Sequence, residues 1–132
     1  MNPKQERAEH ANQLIAAIAR HGRKFFYCES KNRTASMEVD SRGKVWFIGD
    51  YTGNRIYTHH EGRWRGFSHG GTLKLLVQLM RDYIRTGEQI RLHSIAPNRG
   101  QMDGNRDMWG YGAEACAALK AEVAALPIIT TN

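Results

Sequence analysis

The chain has 132 residues, of which 41% are hydrophobic and 24% charged, and its formal net charge is +6 at pH 7. This length is typical of a single domain with one core, and the composition excludes an intrinsically disordered chain. Apolar runs fall well short of the roughly 20 residues that cross a bilayer, and the polar N-terminus lacks the apolar stretch of a signal peptide. We therefore predict one cytoplasmic domain over residues 1–132, without a membrane partner.

The N-terminal segment predicts a helix over residues 3–21. Asn2 and Pro3 form a favourable helix start, because an asparagine side chain caps free backbone N–H groups and proline suits the first helical position. Apolar side chains then recur at helical spacing along one face: Ala11, Leu14, Ile15, Ile18 and Ala19. Gly22 follows as a stop.

The next stretch changes from helical spacing to the alternation of a β-strand. Ala35, Met37 and Val39 alternate with polar neighbours, which predicts a strand buried on one face. Neighbouring segments are rich in β-favouring residues and predict further strands. The predicted strands cover about 24–29, 34–40, 44–49 and 55–60. Short glycine-containing turns join them into an antiparallel meander.

A second helix is predicted over residues 72–86, with an apolar arc about 200° wide at roughly 100° per residue. The arc consists of Leu73, Leu75, Leu76, Val77, Leu79, Met80, Tyr83 and Ile84. Such a wide arc predicts burial on two sides, against the sheet and against either the first helix or a second subunit. A homodimer through this helix is therefore one of the predicted associations.

The C-terminal third is predicted to contain a further strand at 88–95, a glycine-rich loop at 98–112 and a helix at 113–126. The complete order of elements predicts an α+β fold, in which an antiparallel sheet of four to five strands is packed by N-terminal, central and C-terminal helices. Cys28 and Cys116 lack the spacing of a disulfide framework or a zinc site, and we expect both to be small buried hydrophobes.

The positive charge is concentrated in the middle of the chain. Residues 23–71 contain nine Lys and Arg against five Asp and Glu, a balance of +4, whereas residues 88–132 have a balance of −1. A concentrated basic field attracts polyanions, whether nucleic acid or an acidic protein surface. The alternative is that the charge serves solubility alone.

The first candidate binding site is the segment EGRWRGFSHGGT at residues 61–72. A helix N-terminus presents free N–H groups, and glycines let an anion approach the backbone closely. Arginine and tryptophan add a charged fork and a stacking surface. The combination predicts a phosphate or carboxylate site that comprises Arg63, Trp64, Arg65, His69, Gly70, Gly71 and Thr72. The alternative is an ordinary glycine turn before a helix.

The second candidate is the outward face of the meander. If Val45 and Phe47 point to the core, Trp46 points away from it. Arg55 and Tyr57 on the neighbouring strand then share the face of Trp46. Exposed aromatic rings beside arginine form a recognition platform for nucleic acid or protein. The alternative is that the C-terminal helix covers this face and makes Trp46 a core residue.

The sequence offers no constellation sufficient for catalysis. His59 and His60 are adjacent, so that on a strand at most one of them joins His69, and no nearby cysteine completes a metal site. Glu38 and Asp40 share a strand face, but the alternation accounts for them as solvated positions. Nucleotide-binding and hydrolase motifs are missing. We therefore expect a non-enzymatic protein without a metal or cofactor.

Three segments carry a resemblance to known proteins. VWFIGDYTGNRIYTH (45–59), GRWRGFSHGGTLKLLVQLMRDYI (62–84) and DMWGYG (107–112) resemble small uncharacterised proteins encoded by bacteriophages and prophages. The resemblance carries no catalytic residues. It implies an accessory role in host takeover or against bacterial defences, as for anti-CRISPR proteins, usually by occupying a surface on a host complex.

The element order is also similar to that of the double-stranded-RNA-binding domain. That family places a basic cluster at the start of its second helix to contact phosphates. The corresponding residues here are Thr72, Leu73, Lys74 and Leu75, with a single lysine. Fold similarity alone does not establish function.

Three functional hypotheses follow. The first is a phage-type accessory binder that blocks a nucleic-acid-handling host complex, a protein or ribonucleoprotein, through the basic segment 55–72. The second is direct binding of DNA or RNA. The third is an enzyme or sensor that binds a phosphorylated small molecule or nucleotide at Gly70 and Gly71.

Overall fold

Helix α1, Pro3–Gly22, packs against a sheet and two further helices. The computed structural model describes residues 2–22, 26–61, 64, 67, 71–95 and 113–131. The helix begins as the sequence predicts, because the side-chain oxygen of Asn2 accepts a hydrogen bond of 2.9 Å from the backbone N–H of Gln5. Its buried positions are Ala8, Ala11, Leu14, Ile15, Ala17 and Ile18.

Five short strands follow in two antiparallel groups. Strands β1 (Tyr27–Cys28) and β2 (Arg33–Thr34) form a hairpin. Strands β3 (Ser36–Val39), β4 (Val45–Ile48) and β5 (Arg55–Tyr57) form a three-stranded sheet with β4 in the centre. The antiparallel meander of the sequence prediction is therefore present in its central part.

One face of the three-stranded sheet belongs to the core. Met37 pairs with Phe47, Phe47 pairs with Ile56, and all three side chains are buried. Ala35 is also buried, whereas Glu38 is exposed, so the predicted alternation over this strand is confirmed. Helix α1 packs against β3 on this side of the sheet.

The α+β class is confirmed, but the predicted strands 24–29, 34–40, 44–49 and 55–60 are too long, and they do not form one sheet of four to five strands. Phe26 and Asn32, which precede β1 and β2, have φ angles of 62° and 48°. The left-handed conformation at Phe26 interrupts regular strand geometry within the predicted strand 24–29, and that at Asn32 belongs to the turn between β1 and β2. Strand β5 ends at Tyr57 because the backbone turns there and the N–H of His60 donates to the carbonyl of Tyr57 at 3.1 Å.

Helix α2, Gly71–Thr86, confirms the second predicted helix, and most of its apolar arc is buried on two sides. It packs against both α1 and β4. The buried members of the arc are Leu76, Val77, Met80, Tyr83 and Ile84. Leu75 is 57% exposed, and Gly87, with a φ angle of 85°, ends the helix. The homodimer through this helix stays a prediction.

The C-terminal region differs most from the prediction. Instead of a strand over 88–95, a two-residue strand β6 (Ile90–Arg91) leads into a one-turn helix α3 (Leu92–Ile95). Helix α4 covers Ala113–Val123 and is shorter than the predicted 113–126. After Val123 the chain continues in a tighter turn, in which the N–H of Leu126 donates to the carbonyl of Val123 at 2.9 Å. Leu126 precedes Pro127, and the residue before a proline disfavours the helical conformation.

A C-terminal strand completes the architecture and is not part of the prediction. Strand β7 (Ile129–Thr130) runs parallel to β6, with Ile129 beside Ile90. Both isoleucines are buried. The predicted loop 98–112 lies outside the described residues. Within the described part of the chain, no helix has the length and hydropathy that a membrane crossing requires.

Polar side chains of α1 attach it to its neighbours. Arg7 caps the last turn of α2 by donating from Nε to the carbonyl oxygen of Ile84 at 2.8 Å. At the other end, His21 and Arg20 bond to Glu122 of α4. The hydrogen bond with His21, followed by that from Arg20, lowers the pKa of Glu122. Both ends of α1 are therefore tied to other helices.

Asn12 joins α1 to β3, and its removal tests this packing. Its Nδ2 donates to the carbonyl of Met37 at 3.0 Å, and its Oδ1 accepts from the N–H of Met37 at 2.6 Å. Because Asn12→Ala removes both partly buried hydrogen bonds, we expect the free energy of unfolding to fall by about 1–3 kcal/mol. Chemical denaturation followed by circular dichroism measures the change.

Gln13→Ala, at an exposed position of the same helix, is the control for this prediction. We expect it to change the free energy of unfolding by less than about 0.5 kcal/mol. Equal stability of the Asn12→Ala variant and the unsubstituted protein would contradict the role given to Asn12.

Candidate functional site

The face of the three-stranded sheet that points away from α1 carries the candidate site. Its middle row consists of Glu38, Trp46 and Tyr57, which pair across β3, β4 and β5. Ile48 pairs with Arg55 in the next row. Side chains alternate along a strand, so these residues lie opposite the buried ones. We call the surface formed by Glu38, Trp46, Ile48, Arg55 and Tyr57 the aromatic face.

Arg55 lies across the aromatic face. Its guanidinium carbon is 4.3 Å from the centre of the Trp46 ring, a cation–π contact. Its Nε lies 3.6 Å from Oε1 of Glu38, and its Nη2 lies 3.9 Å from Oδ2 of Asp40. The side chains of Arg55 and Glu38 are 47% and 53% exposed, so these ion pairs are screened by water and contribute little stability. They do offset the positive charge of Arg55.

The aromatic rings form a row along one side of this surface. The centres of the Trp46 and Tyr57 rings are 5.2 Å apart, and those of Tyr57 and His59 are 5.5 Å apart. Nζ of Lys44 lies 5.6 Å from the centre of the Tyr57 ring. The sequence hypothesis that Trp46, Arg55 and Tyr57 share a face therefore agrees with the geometry.

Asp40 organises the end of the aromatic face. Its Oδ2 accepts a hydrogen bond of 2.9 Å from the indole Nε1 of Trp46, and its Oδ1 accepts from the backbone N–H groups of Arg42 and Lys44, both at 2.9 Å. The turn that follows contains Gly43, with a φ angle of 80°. The hydrogen bond from Trp46, with those from Lys44 and Arg42 and the charge of Arg55, lowers the pKa of Asp40.

Trp46 is half-buried and lies on the outward face, so the alternative that makes it a core residue is wrong. Helix α4 packs against α1 and α3, and Trp46 is not a core residue. Its exposure is reduced by the side chains of its own face, Arg55 above the ring and Tyr57 beside it. The ring is therefore held in one orientation while part of its surface still faces solvent.

The structure describes only part of the other candidate segment, 61–72. Trp64 is 4% exposed, its Nε1 donates to the carbonyl of His60 at 2.9 Å, and its ring packs against Phe67 with centres 5.5 Å apart. The expectation that Trp64 offers a stacking surface is therefore wrong, because the ring fills the core. Gly71 and Thr72 begin α2.

The remaining members of that candidate, Arg63, Arg65, His69 and Gly70, lie outside the described residues. The anion site at the start of α2, with its phosphorylated ligand, stays a prediction.

A group of basic side chains near His59 is missing from the sequence-based candidates. Burial, followed by the charges of Arg81, Arg85 and Lys4, lowers the pKa of His59, while Asp82 acts in the opposite direction. Arg81 and Arg85 are four residues apart on α2, a spacing that places both on one side of a helix. That spacing is a signal in the sequence, but the approach of Lys4 from α1 is not.

The hydrogen bond between Trp46 and Asp40 predicts a pH response. Because the pKa of Asp40 is lowered on folding, its contribution to stability is present above the ordinary carboxyl value of about 4 and is lost as the pH falls through the lower, folded value. We expect the indole N–H resonance of Trp46 to shift with a midpoint below pH 4 and the shift to be absent in Asp40→Asn.

Glu38→Gln is the matched control, since it removes a carboxylate from the same face but not the acceptor of the indole N–H. The titration of the Trp46 resonance should remain in this variant. A midpoint at or above about pH 4 in the unsubstituted protein would contradict the assignment.

Comparison with known proteins shows the family of the chain. The family model described as YoqU matches residues 2–131. The SPbeta prophage-derived uncharacterized protein YoqU of Bacillus subtilis (strain 168) is 31% identical over 134 residues, which cover 98% of this chain and 89% of that protein. No solved structure matches the chain. The resemblance to small phage and prophage proteins is thus confirmed, and the chain belongs to the YoqU family.

Proposed function

We propose that the protein is a non-enzymatic phage accessory protein that binds a host protein through the aromatic face. The observation that supports this proposal is the gathering of Trp46, Arg55 and Tyr57 on the face opposite the core, with Trp46 and Tyr57 in ring contact. Tryptophan, tyrosine and arginine are the residues most often responsible for binding energy at protein interfaces.

The charges on the aromatic face favour a protein partner over nucleic acid. Arg55 is paired with the carboxylates of Glu38 and Asp40, and these two negative groups would repel a phosphate backbone. A protein surface can offer both signs of charge and complement such a mixed arrangement. Arg55 therefore serves better as a flat, oriented contact on Trp46 than as a phosphate ligand.

The family context suggests what the binding accomplishes. The similar B. subtilis protein is prophage-derived, and small phage accessory proteins typically act in the cell by occupying a surface of a host complex. We propose that this protein inhibits such a complex, in host takeover or as an anti-defence protein comparable to an anti-CRISPR. Inhibition of this kind requires shape and charge complementarity, and no reacting group.

A second candidate function is binding of single-stranded nucleic acid. It is supported by the row formed by Trp46, Tyr57 and His59, with Lys44 beside the Tyr57 ring. Aromatic rings with a neighbouring cation can stack on successive bases without sequence preference. Such binding would weaken steeply with salt, because each neutralised phosphate releases counterions.

The proposed function predicts a difference between two tyrosines. Tyr57 lies on the aromatic face, whereas Tyr51, which is 54% exposed, lies in the turn between β4 and β5. If Tyr57 is a principal contact, Tyr57→Ala should weaken binding to the host partner by about 2 kcal/mol, roughly thirtyfold, while Tyr51→Ala should leave it nearly unchanged. Thermal unfolding of both variants establishes that they are folded.

The partner for this measurement is obtained by photo-crosslinking in the bacterial host. A photoreactive phenylalanine analogue replaces Ile48 on the aromatic face, and in a control protein it replaces the exposed Ala118 of α4. We expect a protein adduct from position 48 and not from position 118. Adducts confined to position 118, or equal losses for the two tyrosine variants, would overturn the proposal, and a nuclease-sensitive adduct would favour the second candidate.

A further inference from the structure

Four elements meet at one end of the molecule, beside the aromatic face. Near the start of α1, Nζ of Lys4 donates to the carbonyl of Gly43, in the turn between β3 and β4, at 3.3 Å. Near the end of α2, Nη1 of Arg81 donates to the carbonyl of Thr58, just after β5, at 2.7 Å. The following residue is His59. Arg7 of α1 also donates to the carbonyl of Arg85 at 3.2 Å, which joins the start of α1 to the end of α2. The charges of Lys4, Arg81 and Arg85 all act on His59, and we call the surface formed by these four residues the cationic end.

The cationic end has fewer carboxylates than cations. Oδ1 of Asp82 lies 2.9 Å from Nε of Arg81 and 3.8 Å from Nη1 of Arg85, so one carboxylate serves two guanidinium groups. Lys4 has a backbone carbonyl as its hydrogen-bond acceptor. Among these described residues, the three cations Lys4, Arg81 and Arg85 stand against the carboxylate of Asp82, a balance of +2 without any charge on His59.

Within the described part of the chain, Arg81 does not use all of its hydrogen-bond donors. A guanidinium has five N–H donors, and Arg81 directs Nε to Asp82 and Nη1 to the carbonyl of Thr58. Its Nη2 group has no acceptor among the residues that the structure describes. The side chain is 17% exposed, so an anion that reaches Nη2 would bind in a partly dry environment, where charge-assisted hydrogen bonds are strong.

The cationic end is continuous with the aromatic face. The His59 ring lies 5.5 Å from the Tyr57 ring, and Lys44 stands beside Tyr57 as well. One partner can therefore cover both surfaces, with apolar and aromatic contacts on Trp46 and Tyr57 and an acidic contribution at His59.

We propose that the cationic end binds a carboxylate-rich segment of the host protein that the aromatic face contacts. This inference rests on the proposed function and adds the chemistry of the partner. Complementary charges at the edge of an interface accelerate association and select the partner. A nucleic-acid strand fits less well, since a continuous row of phosphates that extends onto the aromatic face would meet Glu38 and Asp40.

A hexaglutamate peptide with a fluorescent label is the probe for this site, at 20 mM and 200 mM NaCl. We expect the double variant Lys4→Glu with Arg85→Glu to bind the peptide at least fivefold more weakly than the unsubstituted protein at the lower salt concentration. The control is Lys31→Glu with Arg91→Glu, two exposed positions outside the cationic end, with the same change of net charge. This control should bind within twofold of the unsubstituted protein.

The site of binding is read from His59 by NMR. A bound carboxylate near the imidazole favours its protonated form, so the peptide should raise the pKa of His59, which burial and the neighbouring cations otherwise lower. If the charge-reversed variant does not fold, Lys4→Gln with Arg85→Gln replaces it. We expect this charge-neutralised variant also to bind the peptide more weakly, by a smaller factor.

Two results would overturn the inference. Equal losses in the variant and its control would show that net charge alone attracts the peptide, and tighter binding of a hexathymidylate strand than of hexaglutamate would assign the site to nucleic acid. The proposed function is tested separately, because Tyr57→Ala should weaken binding of the host partner roughly thirtyfold and leave hexaglutamate binding unchanged. If the cationic-end variant and its control bind hexaglutamate equally while the unsubstituted protein still binds the host partner, this inference alone would be refuted.

Discussion

The packing of α1 against the inner face of the central sheet is the constraint on which the other features depend. Its buried alanines, Ala8, Ala11 and Ala17, have small side chains that permit close approach of neighbouring elements. On one side the helix meets β3, and on others it meets α2 and α4. Because this helix covers the inner face, the apolar side chains that alternate along the strands are buried beneath it. The intervening side chains face outward.

The outward half is ordered by polar contacts and not by burial. Asp40 binds the indole of Trp46 and the turn between β3 and β4, while Arg55 spans from Trp46 to Glu38 and Asp40. Side chains that are held in position before a partner arrives lose less conformational entropy on binding. A surface of this kind favours recognition by shape, since its own cations and carboxylates largely compensate one another.

The aromatic face and the cationic end contribute different interactions to recognition. Trp46 and Tyr57 offer apolar area that is removed from water on binding. Arg81, which is fixed by Thr58 and Asp82, offers directed donors at the edge of that area. The same arginine connects α2 to the end of β5, so the position of the cationic end follows from the packing that forms the core.

Local patterns in the sequence predict the elements that depend on local physics. The cap at Asn2, the apolar arc of α2 and the alternation around Met37 are all present as predicted. The strand predicted over 24–29 is too long because Phe26 has a left-handed backbone conformation, and phenylalanine is not a residue that signals a turn. Strand β7 lies in a β-branched run whose partner, β6, is distant along the chain.

The sequence predicts only the part of the candidate site that depends on the pairing of two neighbouring strands, β4 and β5. Trp46, Arg55 and Tyr57 share a face because of the register between β4 and β5, which the alternation indicates. Trp64 has the same residue type and a basic neighbourhood, but its environment is set by contacts with Phe67 and His60 that a sequence pattern does not encode. The pairing of Arg55 with carboxylates and the approach of Lys4 to the cationic end are likewise contacts between separate elements, which a local sequence pattern does not reveal.

Hydroxyl-radical footprinting with mass spectrometry tests most directly whether the face opposite α1 is the binding surface. The measurement compares the oxidation of Trp46, Tyr57 and Tyr51 in the free protein and in its complex with the crosslinked host protein. The account predicts that oxidation of Trp46 and Tyr57 falls at least twofold in the complex while Tyr51 is unchanged. Protection of other residues, with Trp46 and Tyr57 as reactive as in the free protein, would contradict it.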